Sequence, residues 1–234
     1  MTNHQLKALI FDVDGTIADT EKNGHLPAAN DAMKALGLEI QWGWDEFKGW
    51  ISTIPGNVNR LKHSLQLQGV SATEIEKLAT AFAPLKKKIY IEKYLPNLLI
   101  RKGIVALMEQ AVAQKIQLAI VSTSYESQIK ALLQSQLPQF YPLFHPILGK
   151  ESGKKTDNNG FLHKKCIEEL GISAHQAIVI EDAQNGLEAA SCANIPTAIF
   201  YNDYTFGSDF SGAKVVAPNA QYFSLKDLEK ICLN

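Results

Sequence analysis

The sequence predicts an α/β protein: a doubly wound, Rossmann-like parallel sheet with a small all-helical domain inserted after the first strand. Three observations predict it. Short, unbroken apolar runs stop at polar residues, 8–11 before Asp12, 118–121 before Ser122 and 177–180 before Glu181. From about residue 97 onward, helical periodicities alternate with such runs. Residues 21–96, in contrast, carry helical patterns and no β-type run.

Taken in order, the run 8–11 has no apolar/polar alternation, which suits a parallel strand covered on both faces. Four helical segments follow: 28–36 closing at Gly37, 45–54, 58–67 closing at Gly69, and a long one opening at the box Ser71-Ala72-Thr73-Glu74. Pro96 and Asn97 mark the return. Beyond them, Ile104, Leu107, Met108 and Ala111 recur at helical spacing, and the strand 118–121 comes next. Ile129, Leu132 and Leu133 form a second helix, and Pro146-Ile147-Leu148 is a short strand-like segment. Ile167 and Leu170 precede the helix-ending Gly171, and the run 177–180 follows. Strands at 197–200 and 213–216 come before a last helix, which opens at Ser224-Leu225-Lys226-Asp227 with Leu225, Leu228, Ile231 and Cys232 on one side. The predicted domains are a core of 1–19 with 97–234 and a helical insert of 20–96.

Composition narrows the function classes. The chain has 234 residues, 46% hydrophobic and 20% charged, which is the balance of a folded globular protein. Twenty-three basic against 24 acidic side chains leave a net charge of −1, too little for a whole-surface grip on nucleic acid or anionic membrane. No apolar stretch approaches the roughly 18 residues of a membrane helix. The polar opening 1–7 has no signal-peptide pattern, so an unexported, cytoplasmic chain is expected, and a monomer is the expected state. Cys166, Cys192 and Cys232 are odd in number and lack a CxxC pair, and they read as small buried hydrophobes in a reducing compartment.

The chemistry gathers at strand ends. In extended chain, residues two apart face the same way, so Asp12 and Asp14 of Asp12-Val13-Asp14-Gly15-Thr16 can share one site while Val13 turns inward. Two carboxylates that close call for a hard divalent cation with oxygen ligands. Alone, the motif reads equally as a polar turn; a calcium loop fails because the ligand spacing does not continue. Ser122-Thr123-Ser124 offers hydroxyls and helix-opening amides to phosphate, Lys154 and Lys155 offer a compact positive charge, and Glu181-Asp182 adds acids suited to magnesium. All four features fall beyond carboxyl ends of strands, where open parallel sheets bind ligands. Gly149-Lys150-Glu151-Ser152-Gly153-Lys154-Lys155 has three residues between its glycines and no Ser or Thr after the lysine, so it is not a nucleotide P-loop.

In this order, the four motifs resemble the haloacid dehalogenase-like hydrolase superfamily over essentially the whole chain, and the helical insert resembles the cap of its beta-phosphoglucomutase-like branch. Ala18-Asp19-Thr20-Glu21, Gly24-His25, Asn30, Trp42, Gly56 and Arg60, with Tyr204-Thr205 and Asp209-Phe210 downstream, look like the CbbY group of sugar-phosphate phosphatases. The resemblance implies Asp12 as nucleophile and Asp14 as general acid and base. It further implies Mg2+ held by Asp12, Asp182 and the backbone carbonyl of Asp14, with Glu181 behind a metal-bound water. Ser122, Thr123 and Lys155 would bind phosphate, and Glu21, His25 and Arg60 of the cap would contact substrate. Arg60 reads equally as a solvated helix residue, and Lys86-Lys87-Lys88 reads as a solvated helix face. Among the histidines only His25 reads as a contact; His4, His63, His145, His163 and His175 read as surface or satisfied core residues. Trp42, Trp44 and Trp50 read as packing the cap or lining its mouth, not as stacking on a base.

The sequence also departs from the pattern. Lys155 is followed by Thr156, Asp157, Asn158 and Asn159 where the family has Lys-Pro and Pro-Asp; Leu26 replaces an arginine, and 56–60 lacks a lysine. Two cationic contacts are thereby missing, which points to a smaller or singly phosphorylated substrate. The competing readings are a sugar phosphomutase using the same aspartyl-phosphate and a receiver-like phosphoacceptor module. The inserted cap and Asp14 stand against the second.

Overall fold

The structure, a computed structural model, describes residues 5–157 and 159–233; Asn158, His4 and most of the polar opening named above lie outside the described residues. The chain folds as two compact units, Met1–Asp19 with Leu99–Asn234, and Thr20–Leu98.

In the first unit, β1 (Ala8–Phe11), β2 (Gln117–Val121), β3 (Phe144–Leu148), β4 (Ala177–Glu181), β5 (Thr197–Phe200) and β6 (Val215–Ala217) form one sheet in the order β3-β2-β1-β4-β5-β6. Every neighbouring pair is parallel. The unbroken apolar runs have their reason here, for β1 and β5 are buried along their whole length and β2 beyond its first residue. On one face, Ile10, Val121 and Val179 pack with Leu162 and Cys166 of α7 (Phe161–Leu170). The remaining helices are α5 (Ile104–Ala113), α6 (Glu126–Gln136), α8 (Gln184–Cys192) and α9 (Leu225–Leu233). Phe11 of β1 pairs with Ile120 of β2 and Ile180 of β4, so the three central strands end level. The strand order reverses between β1 and β4, and that switch point is where a crevice opens at the carboxyl edge of such a sheet.

The second unit is helical: a π-helical turn Glu21–His25, α1 (Leu26–Ala35), α2 (Trp44–Ile51), α3 (Asn57–Leu67), α4 (Ala72–Ile89) and a second π-turn Tyr90–Tyr94. Its own core joins Met33, Trp42, Phe47, Leu61, Leu65 and Phe82, with Trp44 and Trp50 packed against it. Asn30 clamps the backbone of Trp42, accepting from its N–H at 2.9 Å and donating to its carbonyl at 3.0 Å, and Trp42 Nε1 donates to Ser64 Oγ at 2.9 Å. Ser71 caps α4, its hydroxyl accepting from Glu74 N.

Two expectations need correction. The strand expected at 213–216 is Val215–Ala217, because Ala213 N turns back to the carbonyl of Phe210. Of the three cysteines, Cys192 is exposed, since it is the last residue of α8 and leaves the apolar stripe that buries Leu187 and Ala190. Among the described residues no helix is long and apolar enough to cross a membrane.

Candidate active site

The site begins with the exit from β1. The chain leaves the sheet at Asp12 and folds into a tight turn in which Thr16 and Ile17 donate backbone N–H bonds to Val13 O, and Gly15 N to Ala18 O. Gly15 adopts φ +83°, and a Cβ there would collide with Tyr204 Oη and the side chains of Asp182 and Asn202. Only glycine permits this turn so close to its neighbours.

Asp12, Glu181 and Asp182 are buried, and one carboxylate oxygen of each lies within 4.8 Å of the others. Lys155 Nζ, equally buried, reaches Asp12 Oδ1 at 2.6 Å and Glu181 Oε1 at 2.5 Å. Lys154 is exposed, so the two lysines that the sequence left as alternatives are separated by placement. Glu181 Oε2 takes the N–H groups of Asp182 and Ala183 at 2.7 and 2.9 Å. Asp182 receives Thr16 Oγ1 on Oδ1 at 2.9 Å and Asn202 Nδ2 on Oδ2 at 2.7 Å.

The electrostatics are those of a centre short of positive charge. Burial pushes Asp12 up to about 7; Lys155 opposes the shift, while the charges of Glu181 and Asp14 add to it. Asp182 is also held well above the ordinary carboxylate range, by burial first and then by Glu181 and Asp12. Burial alone would depress Lys155, but the carboxylates of Asp12 and Glu181 outweigh it and keep the ammonium charged. Among the described residues, Lys155 is the cation paired directly with two of these three buried acids, and the remaining deficit is one that a hard divalent ion fits; the donor set is all oxygen.

Asp14 sits partly buried, its carboxylate accepting a hydrogen bond from Ser124 Oγ. Ser122 is fully buried, and its hydroxyl accepts from Ser124 N at 3.3 Å. Thr123 is exposed, in contrast to its buried neighbour Ser122.

Within the helical unit, His25 is buried and stacked on Tyr90 with ring centroids 4.3 Å apart. Lys86 Nζ lies 2.7 Å from His25 Nδ1 and is itself buried. This corrects the solvated face expected of 86–88: the stem of Lys86 joins the inward stripe of α4 with Phe82, and its ammonium stays beside imidazole and the Tyr90 ring. Arg60 is also buried, so the solvated alternative falls. Its guanidinium donates to Ile54 O at 3.0 Å and Asn57 Oδ1 at 3.1 Å, lies 3.7 Å from Glu21 and covers the ring of Phe47. His163 is no satisfied core residue either: it is fully buried, and among the described residues neither ring nitrogen has a hydrogen-bond partner.

Sequence reasoning missed Asn202 and Arg101. Arg101 donates to the carbonyls of Gly15, Phe200, Tyr201 and Pro218, tying the exits of β1, β5 and β6 together. Arg101 lies near no motif in the chain, whereas Asn202 just precedes Tyr204-Thr205, the signal that could have found it.

Comparison with known proteins identifies the family. A family model for haloacid dehalogenase-like hydrolases matches residues 9–200. The chain belongs to that family. It is 33% identical over 222 residues to the plasmid-encoded protein CbbY of Cupriavidus necator, covering 92% of this chain and 85% of that one. With CbbY of Rhodobacter capsulatus it shares 29% identity over 212 residues, 89% and 91% of the two chains. Among solved structures, CbbY from Rhodobacter sphaeroides in complex with phosphate superposes with a TM-score of 0.81 at 25% identity, over 96% of this chain and 100% of that one. An aspartate-to-asparagine mutant of the same protein, in complex with xylulose-(1,5)bisphosphate, shows the same fold, with a TM-score of 0.80 at 24% identity over 96% and 99% of the chains. The chain is thus a hydrolase of phosphatase type, similar to CbbY.

Proposed function

We propose that the protein hydrolyses a small phosphate monoester, a sugar phosphate by kinship with CbbY, through an aspartyl-phosphate on Asp12 and with Mg2+ as cofactor. The observation that carries the reading is the buried constellation of Asp12, Lys155, Glu181 and Asp182 at the carboxyl edge of the sheet. An Asp12 carboxylate oxygen attacks phosphorus as the ester P–O bond breaks, and Asp14 delivers its proton to the departing oxygen. Asp14 then takes a proton from water, whose oxygen attacks phosphorus, breaks the bond to Asp12 and releases inorganic phosphate. Lys155 and Ser122 face the charge that spreads over the transferring oxygens.

Asp12, Asp182 and the Asp14 carbonyl would hold Mg2+, with Glu181 behind them. When bound there, the ion would supply charge neutralisation and would favour the carboxylate form of Asp12 despite its burial. For the helical unit, Glu21, His25 and Arg60 are proposed to set substrate choice, and Thr123 to add a weak phosphate contact from its exposed position. The missing lysine and arginine of that unit favour a singly phosphorylated substrate, in contrast to the bisphosphate bound by the mutant CbbY.

The test is phosphate release across sugar mono- and bisphosphates with Mg2+, beside an Asp12→Asn control. Release by wild type and none by a folded Asp12→Asn supports the reading. Retained turnover in that variant overturns the nucleophile, and isomer formation from a hexose 1-phosphate without phosphate release replaces the hydrolase with a mutase.

A further inference from the structure

The loop leaving β5 carries no catalytic group, yet its hydrogen bonds converge on the acidic site. Asn202 Oδ1 accepts from Tyr204 N at 3.2 Å, Thr205 N at 3.1 Å and Thr205 Oγ1 at 3.2 Å, while Asn202 N donates to Thr205 Oγ1 at 3.0 Å. The side-chain oxygen is therefore consumed in fixing a tight local turn, in the manner that makes asparagine a turn residue. This assigns the amide unambiguously, because the oxygen end faces three donors and the nitrogen end faces two acceptors. Nδ2 donates to Asp182 Oδ2 at 2.7 Å and to Gly15 O at 3.3 Å. Arg101, donating to Gly15 O and to the carbonyls of Phe200 and Tyr201, ties the same two chain exits together.

We propose that Asn202 is a positioning residue for the metal-ligand carboxylate: its amide, oriented by the turn through Thr205, and Thr16 together grip one oxygen each of Asp182 and fix its rotation toward the cation. Each Asp182 oxygen keeps a lone pair for coordination while the plane of the carboxylate is set by protein donors on both sides. Partners of this kind govern metal affinity without touching the ion, and their loss weakens binding by roughly 10–100-fold. The proposal rests on the Mg2+ reading above and adds to it a residue outside the four motifs.

The experiment is calorimetric titration of Mg2+ into the full chain without substrate, for wild type, Asn202→Ala and Leu228→Ala, a core truncation on α9 remote from the acids. Asn202→Ala should weaken Mg2+ binding by about 10–100-fold, and excess Mg2+ should restore kcat with KM for substrate unchanged. Leu228→Ala should lower the melting temperature and leave Mg2+ affinity in place. Undiminished affinity in Asn202→Ala overturns this inference alone, as does an equal loss in Leu228→Ala, which would trace the effect to general loosening. A wild-type chain that binds no Mg2+ overturns the metal reading and this inference together.

Discussion

His163 lies on the first turn of α7 with no exposed surface, and burial, reinforced by the charge of Lys155, depresses its imidazole to about 3 from an ordinary 6.5. The folded chain therefore keeps this ring neutral at a pH where the unfolded chain protonates it. Between about pH 6.5 and 3 the unfolded state binds the extra proton, so stability is lost as pH falls through that window. Leucine at this position removes both the titration and two ring nitrogens that have no partner among the described residues, and removal of such a group is stabilising or neutral when the shape is kept. His163→Leu should raise stability by about 1–2 kcal/mol at pH 5 and flatten the acid limb, as read by urea denaturation at several pH values. A wild-type and variant pair with parallel pH profiles would show the ring to be hydrated or paired. At this same scale, Ser124 donates to Asp14, the proposed proton carrier. Ser124→Ala should slow turnover of sugar phosphates, whose departing oxygen needs a proton, more than the initial burst from p-nitrophenyl phosphate, whose leaving group does not. Equal slowing of both would deny Ser124 that role. Neither residue announced itself in the sequence: Ser124 looked like one more phosphate hydroxyl, and nothing local says that the face of α7 carrying His163 is sealed.

Among the elements, α8 shows how a helix start can be shaped by the site beneath it. A Cβ on Gly186 would fall on the carboxylate of Glu181, whose two oxygens are already committed to Lys155 and to the N–H groups of Asp182 and Ala183. Gly49, in α2, has nothing within 4 Å of the same added atom. Helix propensity alone favours alanine over glycine by about 1 kcal/mol at either place. Gly49→Ala should gain up to that amount, whereas Gly186→Ala should lose about 1–3 kcal/mol through overpacking and lower kcat as Glu181 shifts. Urea melts of the two variants check the opposite signs; a gain at both would mean that Glu181 moves aside freely. The elements themselves were largely legible. The runs 8–11 and 197–200 are strands to the residue, because burial on both faces leaves an uninterrupted apolar signature, and Ser71 marks the start of α4 by its hydroxyl. The π-turns Glu21–His25 and Tyr90–Tyr94 were not legible, since one extra residue per turn does not alter the apolar spacing enough to see. Lys86 was misread because a lysine run looks solvated until tertiary packing places one stem inward.

For the molecule as a whole, the gathering of Asp12, Lys155, Glu181 and Asp182 into one candidate site was legible, since parallel topology brings strand ends together whatever the distance in sequence. Asn202 and Arg101 were not, being 187 and 86 residues from the Gly15 carbonyl they share. If the proposed Mg2+ binds among these acids, the gathering of charge ties the stability of the chain to that ion. In the metal-free chain Asp12 titrates near 7 against an ordinary 3.8, so between those values the folded state holds more protons than the unfolded one. Stability in that window falls as pH rises, because deprotonation leaves carboxylates facing each other in a buried site. Divalent metal prefers the deprotonated acids, and its binding adds stability that grows with pH. His163 acts in the opposite direction over part of the same range, so the melting temperature of metal-free protein alone would blur the two. The difference between melting temperatures with Mg2+ and with EDTA cancels the histidine, which titrates alike in both. That difference should widen from about pH 5 to about pH 8, reaching on the order of several degrees for a chain of this size, and Asp182→Asn should abolish it. A difference that stays constant across the range would mean that Mg2+ does not compete with protons for Asp12, and so is not bound where its carboxylate is buried.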